Sequence, residues 1–444
     1  MTLGGSVTPA AESLAAAFTI GPDDPAWLGD LREEAIAGLR SLGGLPTTRH
    51  EDWRYTSLTA LASHRLERAR PDEGDAAAAL LERAGSWNGP QLVFANGRYR
   101  SDLSWAQGLP PGAVLISLGE ALREVPDLVR PHLGRLARVD RHALVAANTA
   151  LFDDGVLLHL PVAGAVAPPI RIVHLTSLPG RAVATFPRLL LVAGEGSLVT
   201  VVEHSISAEG GRALVAPVAE IVLAPGAEVN HYRFQEEGLE TFELASLHVE
   251  QAAESRFTSH SLALGGQVAR AELHARLLGE RAELTASGLG MASASRITDA
   301  FVNVEHVAPR CTSTQTFKTV LDGRARGVFT GRVRVAPGAQ KTSAQQSSSN
   351  LLLSDDATVD TRPQLEILAD DVKCSHGGSV GQLDPTSLFY LRTRGLSEPA
   401  ARSLLIYAFA AGMVELVRPE PLRARARQLV ASRLPAGARL VEAA

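Results

Sequence analysis

Between residues 156 and 383 the chain repeats a short turn phrase at a loosely regular interval. The spacing is roughly 26 to 31 residues, which is the period of a coiled stack of short strands. Between the phrases lie runs of about four to eight residues that often alternate between apolar and polar, without a helical pattern. The phrases are VAGEGSLV, LAPGAEVN, EQAAESRF, LGERAELT, VAPRCTST and VAPGAQKT. The sequence therefore predicts a β-solenoid or β-helix, with a β-sandwich as the alternative because it also has short strands and frequent turns.

The segments on either side of the repeats are predicted to be mainly helical. Apolar side chains recur at helical spacing over residues 9 to 40, and Asn96-Gly97 marks a hairpin turn further along. After the repeats, Asp384 can cap a helix that ends near Gly395. We therefore expect three domains: a helical N-terminal domain (1–150), a β-helix core (151–383) and a C-terminal helical domain (384–444).

The overall charge argues against two classes of partner. The net charge is −5 and the isoelectric point is about 6.2, so we expect neither nucleic acid nor an anionic membrane as a partner. No apolar run approaches the roughly 20 residues that span a bilayer, and the N-terminal stretch lacks the regions of a signal peptide. Two cysteines cannot form a disulfide framework in a chain of 444 residues. We expect a soluble protein of the reducing cytoplasm.

Lysine is rare in this chain and confined to one region. Of the 43 basic residues only three are lysines, Lys318, Lys341 and Lys373, and all three fall in the last part of the repeats or just after them. An ammonium group is compact and strongly hydrated, whereas a guanidinium is a planar fork. Sites that keep lysine in an arginine-rich chain can require that shape, although chance clustering explains the pattern equally well.

The motif Cys374-Ser375-His376 is the clearest candidate for chemistry. If it lies on a strand, alternation places Cys374 and His376 on one face and Ser375 on the other. A thiolate and an imidazole side by side can bind Fe or Zn, but such centres usually take three or four protein ligands. Either Cys311, with His306 nearby, completes the site within the chain, or another subunit completes it. Two buried structural cysteines and a core histidine are the plain alternative.

Enzyme motifs are absent from the sequence. There is no Walker A sequence, no dinucleotide fingerprint, no His-Glu-x-x-His and no Gly-x-Ser-x-Gly elbow. A thiol enzyme that uses Cys374 and His376 lacks an orienting third group, and a β-helix carbohydrate enzyme would need clustered carboxylates where this chain has amides and hydroxyls. We expect a protein that is not an enzyme.

Two long motifs stand out: RHEDWRYTSL near the N-terminus and AQQSSSNLLLSDDATVDTRPQLEILADDVKCSHGGSVGQLDP after residue 300. They resemble the SufB/SufD family of iron–sulfur cluster assembly proteins, on its SufD side, and the resemblance covers nearly everything after residue 300. The resemblance implies a mainly β fold: a right-handed parallel β-helix core flanked by helical N- and C-terminal domains. Independently of this resemblance, the residues around Trp53 in the N-terminal motif predict that it anchors one domain to another rather than binds a ligand.

The resemblance also implies a role and partners. It implies a non-catalytic scaffold subunit that pairs with a SufB paralogue through the β-helix, with a transient iron–sulfur cluster or iron held at the interface. Cys374 and His376 match the family positions implicated in that site, and Cys311 is a further candidate ligand. Where SufB has a sulfur-accepting cysteine, this chain has Ser347 or a neighbouring serine, and a hydroxyl cannot form a persulfide.

The C-terminal helices are implied to bind the SufC ATPase, so this chain itself is expected to bind no nucleotide. The residues expected to contact SufC are Leu404, Leu405 and Phe409. A homodimer in the absence of SufB is compatible with the same resemblance. The alternatives are a SufB-like paralogue and a homodimeric metal-binding β-helix protein.

Overall fold

The computed structural model describes residues 8–19, 21, 24–69, 76–177 and 182–437. Within these residues the α-helices are α1 (Pro9–Ala16), α2 (Ala26–Ser41), α3 (Thr59–Ala62), α4 (Ala76–Arg83), α5 (Leu118–Glu124), α6 (Pro126–Val129), α7 (Ala143–Leu151), α8 (Pro385–Thr393), α9 (Glu398–Val414) and α10 (Glu420–Ser432). Short 3-10 helices span Glu51–Trp53 and Ser101–Leu103. None of the described helices is both long and apolar enough to cross a membrane.

The described strands fall into two sheets. They are β1 (Glu67–Arg68), β2 (Gln91–Ala95), β3 (Arg98–Tyr99), β4 (Val114–Ser117), β5 (Gly155–Leu160), β6 (Ile170–Thr176), β7 (Val183–Thr185), β8 (Arg188–Ala193), β9 (Leu198–Ser207), β10 (Ala213–Val215), β11 (Val218–Leu223), β12 (Glu228–Gln235), β13 (Thr241–Gln251), β14 (Arg256–Ala263), β15 (Val268–Leu277), β16 (Glu283–Ala292), β17 (Ile297–His306), β18 (Thr312–Leu321), β19 (Arg326–Val335), β20 (Ser343–Leu352), β21 (Thr358–Ile367) and β22 (Lys373–Gly381).

The two sheets wind into one parallel β-solenoid of about 7 turns. The first sheet has the order β21-β19-β17-β15-β13-β11-β8-β5-β4, and the second has the order β22-β20-β18-β16-β14-β12-β9-β6-β2-β3. The chain alternates between the sheets, so from β12 onward each strand pairs in parallel with the next strand but one. The solenoid prediction is confirmed, and the β-sandwich is wrong because its neighbouring strands would run antiparallel.

The recurring turn phrase forms one corner of the solenoid, where the chain passes from the first sheet to the second. One residue of each of these corners has a positive φ, between 59° and 67°. These residues are Gly196, Gly226, Glu254, Arg281, Arg310 and Lys341. Each donates its N–H to a carbonyl in the corner of the next turn, so the corners are hydrogen-bonded along the solenoid like the strands. The repeat in the sequence therefore reflects a repeated backbone bend.

The core between the sheets changes character along the solenoid. In the early turns it is apolar, with side chains such as Leu158, Ile172 and Leu191 fully buried. In the later turns of the second sheet, buried inward positions are also taken by Gln346 and Asn350. Apolar burial stabilises the early turns by about 25 cal/mol for each Å² removed from water. The later turns depend more on hydrogen bonds between side chains.

The N-terminal helices pack on the outer face of the first sheet. Leu39 of α2 and Leu151 of α7 share a buried cluster with Leu190 and Leu244 of the sheet. The predicted helix over residues 9 to 40 is wrong as a single element, because α1 ends at Ala16 and α2 begins at Ala26 after Pro25. Proline lacks an N–H and starts helices more readily than it continues them.

The Asp52-Trp53 motif anchors this N-terminal region to the solenoid, as predicted. Trp53 is 9% exposed, and the Arg270 guanidinium lies 4.1 Å from the centre of its indole ring. Asp52 pairs with Arg332, while Glu51 contacts Arg362 of the last turn at 2.7 Å. A cation over an indole is a favourable contact when both groups are withdrawn from water. The anchor thus reaches from β15 to β21.

The C-terminal helices pack on the outer face of the second sheet. Ile406 and Val414 of α9 lie in one buried cluster with Tyr232, Leu262 and other residues of the sheet. The Arg425 guanidinium of α10 contacts Glu236 at 2.6 Å. The predicted cap of α8 is confirmed, since the Asp384 carboxylate accepts hydrogen bonds from the N–H groups at the start of the helix.

A buried carboxylate joins the N-terminal region to the first sheet. Glu220 of β11 pairs with Arg188 of β8, and both side chains are fully buried. The same carboxylate accepts hydrogen bonds from the backbone N–H groups of Gly134 and Leu136, each at 2.7 Å. A buried ion pair is costly to break, because the remaining charge keeps no partner.

We therefore expect Glu220→Gln to lower the free energy of unfolding by about 3 to 5 kcal/mol, because it leaves the Arg188 charge buried and unbalanced. Urea unfolding followed by circular dichroism measures the change. The control is Glu280→Gln, which removes only exposed ion pairs and should change the value by less than about 1 kcal/mol. Equal effects of the two substitutions would contradict the proposed anchoring role of Glu220.

Candidate functional site

The solenoid ends in an open mouth, which we define as the last turn formed by β21 and β22. These strands are terminal in their sheets, and no strand of the described chain pairs with their outer edges. Apolar side chains at this end are unusually exposed: Ile367 is 40%, Leu368 is 46% and Val380 is 53% exposed. Unpaired strand edges with apolar neighbours favour pairing with a further strand.

Cys374 and His376 lie side by side at this mouth. The strand predicted for the motif is confirmed as β22, and in its register Cys374 pairs with Ala344 and His376 pairs with Gln346. Both partners are buried, and Cys374 packs against the core between the sheets, so both side chains belong to the inner face. No further described turn covers them, and Cys374 is therefore half-buried while His376 is exposed.

A polar floor lies behind the two side chains, formed by Gln315, Gln346, Ser348 and Asn350. The Gln346 side-chain NH₂ donates to Gln315 Oε1 at 3.2 Å, and the Asn350 NH₂ donates to Ser348 Oγ at 3.1 Å. Gln315 Nε2 and Gln346 Oε1 are buried without a hydrogen-bond partner in the described chain. The sequence analysis missed this floor, although polar residues at alternating positions of QQSSSN were the available signal.

Cys311 is not brought beside Cys374. It is fully buried in the core, where its thiol donates to the Gly279 carbonyl oxygen at 3.2 Å. In the strand register Cys311 aligns with Thr342 one turn further on and with Val372 two turns further on. Two strand spacings, about 10 Å, therefore separate Cys311 from the last turn. Its neighbour in the sequence argument, His306, is also buried and contacts Ser313 Oγ at 2.8 Å. The ligand role of Cys311 stays a prediction.

Burial affects both thiols in the same direction. Removal from water raises the pKa of Cys311 and also that of Cys374 above the usual value. At neutral pH both are protonated, and a metal ion that bound Cys374 would displace its proton. Ser347, by contrast, is exposed on the outer face of β20, away from the inward-facing pair.

Comparison with known proteins decides the family. The family model described as "SUF system FeS cluster assembly, SufBD core domain" matches residues 176–409, and the model "SufBD protein N-terminal region" matches residues 85–172. The chain belongs to the SufB/SufD family. It is 34% identical to the iron-sulfur cluster assembly protein SufD of Escherichia coli, over 89% of this chain and 91% of that protein.

Other members of the SufB/SufD family match over similar lengths. An iron-sulfur cluster assembly SufBD family protein of Synechocystis is 31% identical, over 90% of each chain. The iron-sulfur cluster assembly protein SufD of Bacillus subtilis is 27% identical, over 97% of this chain and 98% of that protein. The resemblance to the SufD side of the family is thereby confirmed.

In this SufB/SufD protein the three lysines have different surroundings. Lys318 Nζ donates to the Phe409 carbonyl oxygen at 3.0 Å and lies 4.7 Å from the centre of the Phe409 ring. Lys341 is the left-handed residue of the corner between β19 and β20, and Lys373 is exposed at the start of β22. Lys318 therefore fixes α9 to β18.

The C-terminal helices leave a surface that the sequence analysis did not find. Leu404, Leu405 and Phe409, the residues predicted to contact SufC, are all half-buried in α9. In α8, Phe389 is 66% and Tyr390 is 55% exposed, and the helix buries none of its residues. Large apolar side chains left in water are typical of a surface that another protein covers.

In the isolated native chain, we expect iodoacetamide to modify Cys374 and to leave Cys311 unmodified, because only Cys374 is open to solvent. Burial raises the pKa of Cys374, so the rate at which iodoacetamide modifies it should still increase above about pH 8.5, the pKa of an ordinary thiol. Mass spectrometry of the labelled protein measures both. Chain unfolded in urea should carry two labels, and equal native labelling of the two cysteines would contradict the burial of Cys311.

Proposed function

We propose that this chain is a non-catalytic scaffold subunit for iron–sulfur cluster assembly, which holds iron or a nascent cluster at the mouth of its solenoid. Its family and the names of its relatives support the general role. One observation carries the specific part: Cys374 and His376 lie next to each other on the inner face of the last turn and are open at its unpaired end. The cluster is cargo that passes on to other proteins.

The mouth supplies part of a ligand set. A thiolate and an imidazole are both good ligands for iron, but two protein ligands leave the coordination sphere incomplete. Among the described residues no other cysteine or histidine is placed beside this pair, and the polar floor offers only amides and hydroxyls. A second protein at the mouth would therefore provide the remaining ligands.

A SufB paralogue is the proposed partner at this end. Within the described chain no strand pairs with the outer edges of β21 and β22, and a second solenoid would extend both sheets by pairing with them. The exposed Ile367, Leu368 and Val380 would become buried in that contact. Two copies of this chain joined at the same edges form the competing assembly, which size measurements with and without SufB distinguish.

We expect Cys374→Ala and His376→Ala each to reduce the iron and sulfide that co-purify with the SufB–SufC-bound chain by at least fivefold, because each removes one ligand. Co-expression of the three subunits, followed by metal and sulfide analysis, measures the yield. The control is Ser375→Ala, which changes the neighbouring residue on the opposite face of β22.

The same purification reports whether the partners still bind. A retained complex with a reduced yield supports the ligand role of the two residues. Loss of the complex would instead show that they have a structural role in the contact between subunits. An unchanged yield in both variants would overturn the proposal that the mouth holds the cargo.

The ATPase SufC is the proposed partner of the C-terminal helices, so that ATP binds to SufC and not to this chain. We place the assembled complex in the cytoplasm. The predicted contacts at Leu404, Leu405 and Phe409 remain part of this proposal. The exposed Phe389 and Tyr390 of α8 add a surface that an apolar partner groove could bury.

We expect the double substitution Phe389→Ser and Tyr390→Ser to weaken capture of SufC at least tenfold, since exposed aromatic side chains commonly dominate the binding energy of an interface. Pull-down with purified SufC, followed by titration, measures the loss. The matched control is Leu239→Ser, which changes an apolar side chain that is 56% exposed in a loop between β12 and β13. Unchanged capture by the α8 variant would contradict a role for this surface.

A further inference from the structure

A second group of side chains of the types that can bind a metal ion lies outside the mouth, on the outer face of the first sheet. We define the histidine cluster as His142, His248, Glu272 and His274. His248 lies on β13, Glu272 and His274 lie on β15, and His142 immediately precedes α7 in the N-terminal region. The cluster thus joins two parts of the chain that are separated by more than a hundred residues.

The solenoid register brings these side chains together. His248 and His274 are direct partners in the parallel pairing of β13 with β15, and their rings stack with centroids 4.9 Å apart and planes 10° apart. The ring of His142 lies 4.8 Å from that of His274. Alternation places Glu272 on the same face as His274, two residues earlier on one strand.

The ligand atoms are close enough to share one ion. One ligand atom from each of His142, Glu272 and His274 lies within 4.8 Å of the others. Around a metal ion at about 2.1 Å from each ligand, neighbouring ligand atoms are about 3 to 3.5 Å apart. A shift of about 1 Å at the tips of the side chains is therefore sufficient to bring the ligand atoms to these distances.

The hydrogen bonds orient Glu272 and leave one long contact for an ion to replace. Arg270 Nε donates to Glu272 Oε1 at 2.7 Å, while Glu272 Oε2 faces His274 Nε2 at 3.3 Å. The charge of Arg270 is balanced by Asp299, so the carboxylate of Glu272 is not its only partner. Neither ring nitrogen of His142 forms a hydrogen bond within the described part of the chain. Arg270 thus orients the Glu272 carboxylate as a supporting residue orients a metal ligand, and an ion would replace the long contact between Glu272 Oε2 and His274 Nε2.

Burial and neighbouring charges shift the pKa values in the cluster. Burial, with the neighbouring His274, lowers the pKa of His142, and the same two causes lower the pKa of His248 further. Burial would raise the pKa of Glu272, but Arg270 and His274 outweigh it and hold that pKa below its usual range. Metal ions bind histidine as the neutral imidazole and glutamate as the carboxylate.

Solvent can reach the cluster from two sides. A cavity of about 310 Å³ is lined by His142 and Glu272, and a second of about 460 Å³ is lined by His142, His248 and His274. Two imidazoles and one carboxylate, with open positions toward solvent, form a donor set suited to Zn²⁺ or Fe²⁺. Calcium and magnesium prefer oxygen ligands alone.

We propose that His142, Glu272 and His274 bind one divalent transition-metal ion, with His248 stacked on His274 and holding its ring in place. The ion would link the N-terminal region at α7 to the solenoid at β15. The site uses none of the residues at the mouth, so it does not depend on the proposed function.

The test measures metal binding by the purified full-length chain after chelation. Titration with Zn²⁺ by calorimetry should give one ion per chain, and anaerobic titration with Fe²⁺ shows which of the two ions the site prefers. His274→Ala and Glu272→Gln should each weaken Zn²⁺ binding by more than about 100-fold, since loss of a direct ligand costs more than loss of a supporting residue. Cobalt(II) substitution gives a second readout, because His142→Ala should change the visible spectrum of the bound ion.

His64→Ala is the control for this site, and it should leave one-ion binding unchanged because His64 is an exposed histidine after α3 that is not part of the cluster. Circular dichroism establishes that each variant is folded. Glu272→Gln retains nearly the same side-chain volume, so it still tests the site if an alanine variant fails to fold. Absence of Zn²⁺ and Fe²⁺ binding by the wild-type chain, or unchanged affinity in folded Glu272→Gln and His274→Ala, would overturn the proposal. Loss of binding in His376→Ala, with unchanged binding in the cluster variants, would also overturn the proposal and would assign the ion to the mouth.

Discussion

The backbone hydrogen-bond ladder between parallel strands is the constraint on which the rest of this structure depends. The backbone N–H and C=O groups of each turn form hydrogen bonds with the turns before and after it. The first and last turns each lack one of these neighbours, so their outer edges need another partner. At one end the ladder finishes in antiparallel pairs, β4 with β5 and β2 with β3. At the other end β21 and β22 keep unpaired edges in the described chain. The position of the candidate cargo site follows from this asymmetry.

Strand alternation then divides the chemistry of the chain between two faces. Inward positions build the core, and at the last turn the same positions present Cys374 and His376 to solvent because nothing described lies beyond them. Outward positions of the first sheet carry charged and aromatic groups that the N-terminal region covers, including the buried pair of Glu220 and Arg188. The histidine cluster arises on this outer face, where neighbouring turns align His248 with His274.

Features that depend on a local pattern could be predicted from the sequence. The turn phrases predicted the solenoid because each corner repeats one backbone bend, and the motif around Cys374 predicted a strand whose alternation places His376 on the same face. The helix predicted over residues 9 to 40 was wrong where Pro25 begins a new helix. Cys311 and Phe409 show the limit of such reasoning: both match apolar patterns, but sequence spacing does not reveal that one lies two turns inside the core and the other contacts Lys318.

By itself, the sequence determined the repeat, its approximate period, the helical flanks and the pairing of a thiol with an imidazole, because those depend on residues a few positions apart. Only the tertiary structure decided that the edges of the last turn stay unpaired in the described chain, which apolar side chains remain in water on α8, and that His142 meets His274. These contacts depend on strand register and on how helices dock on the outer faces. Register and docking are fixed by the summed burial and hydrogen bonding of distant segments, which no short stretch of sequence contains.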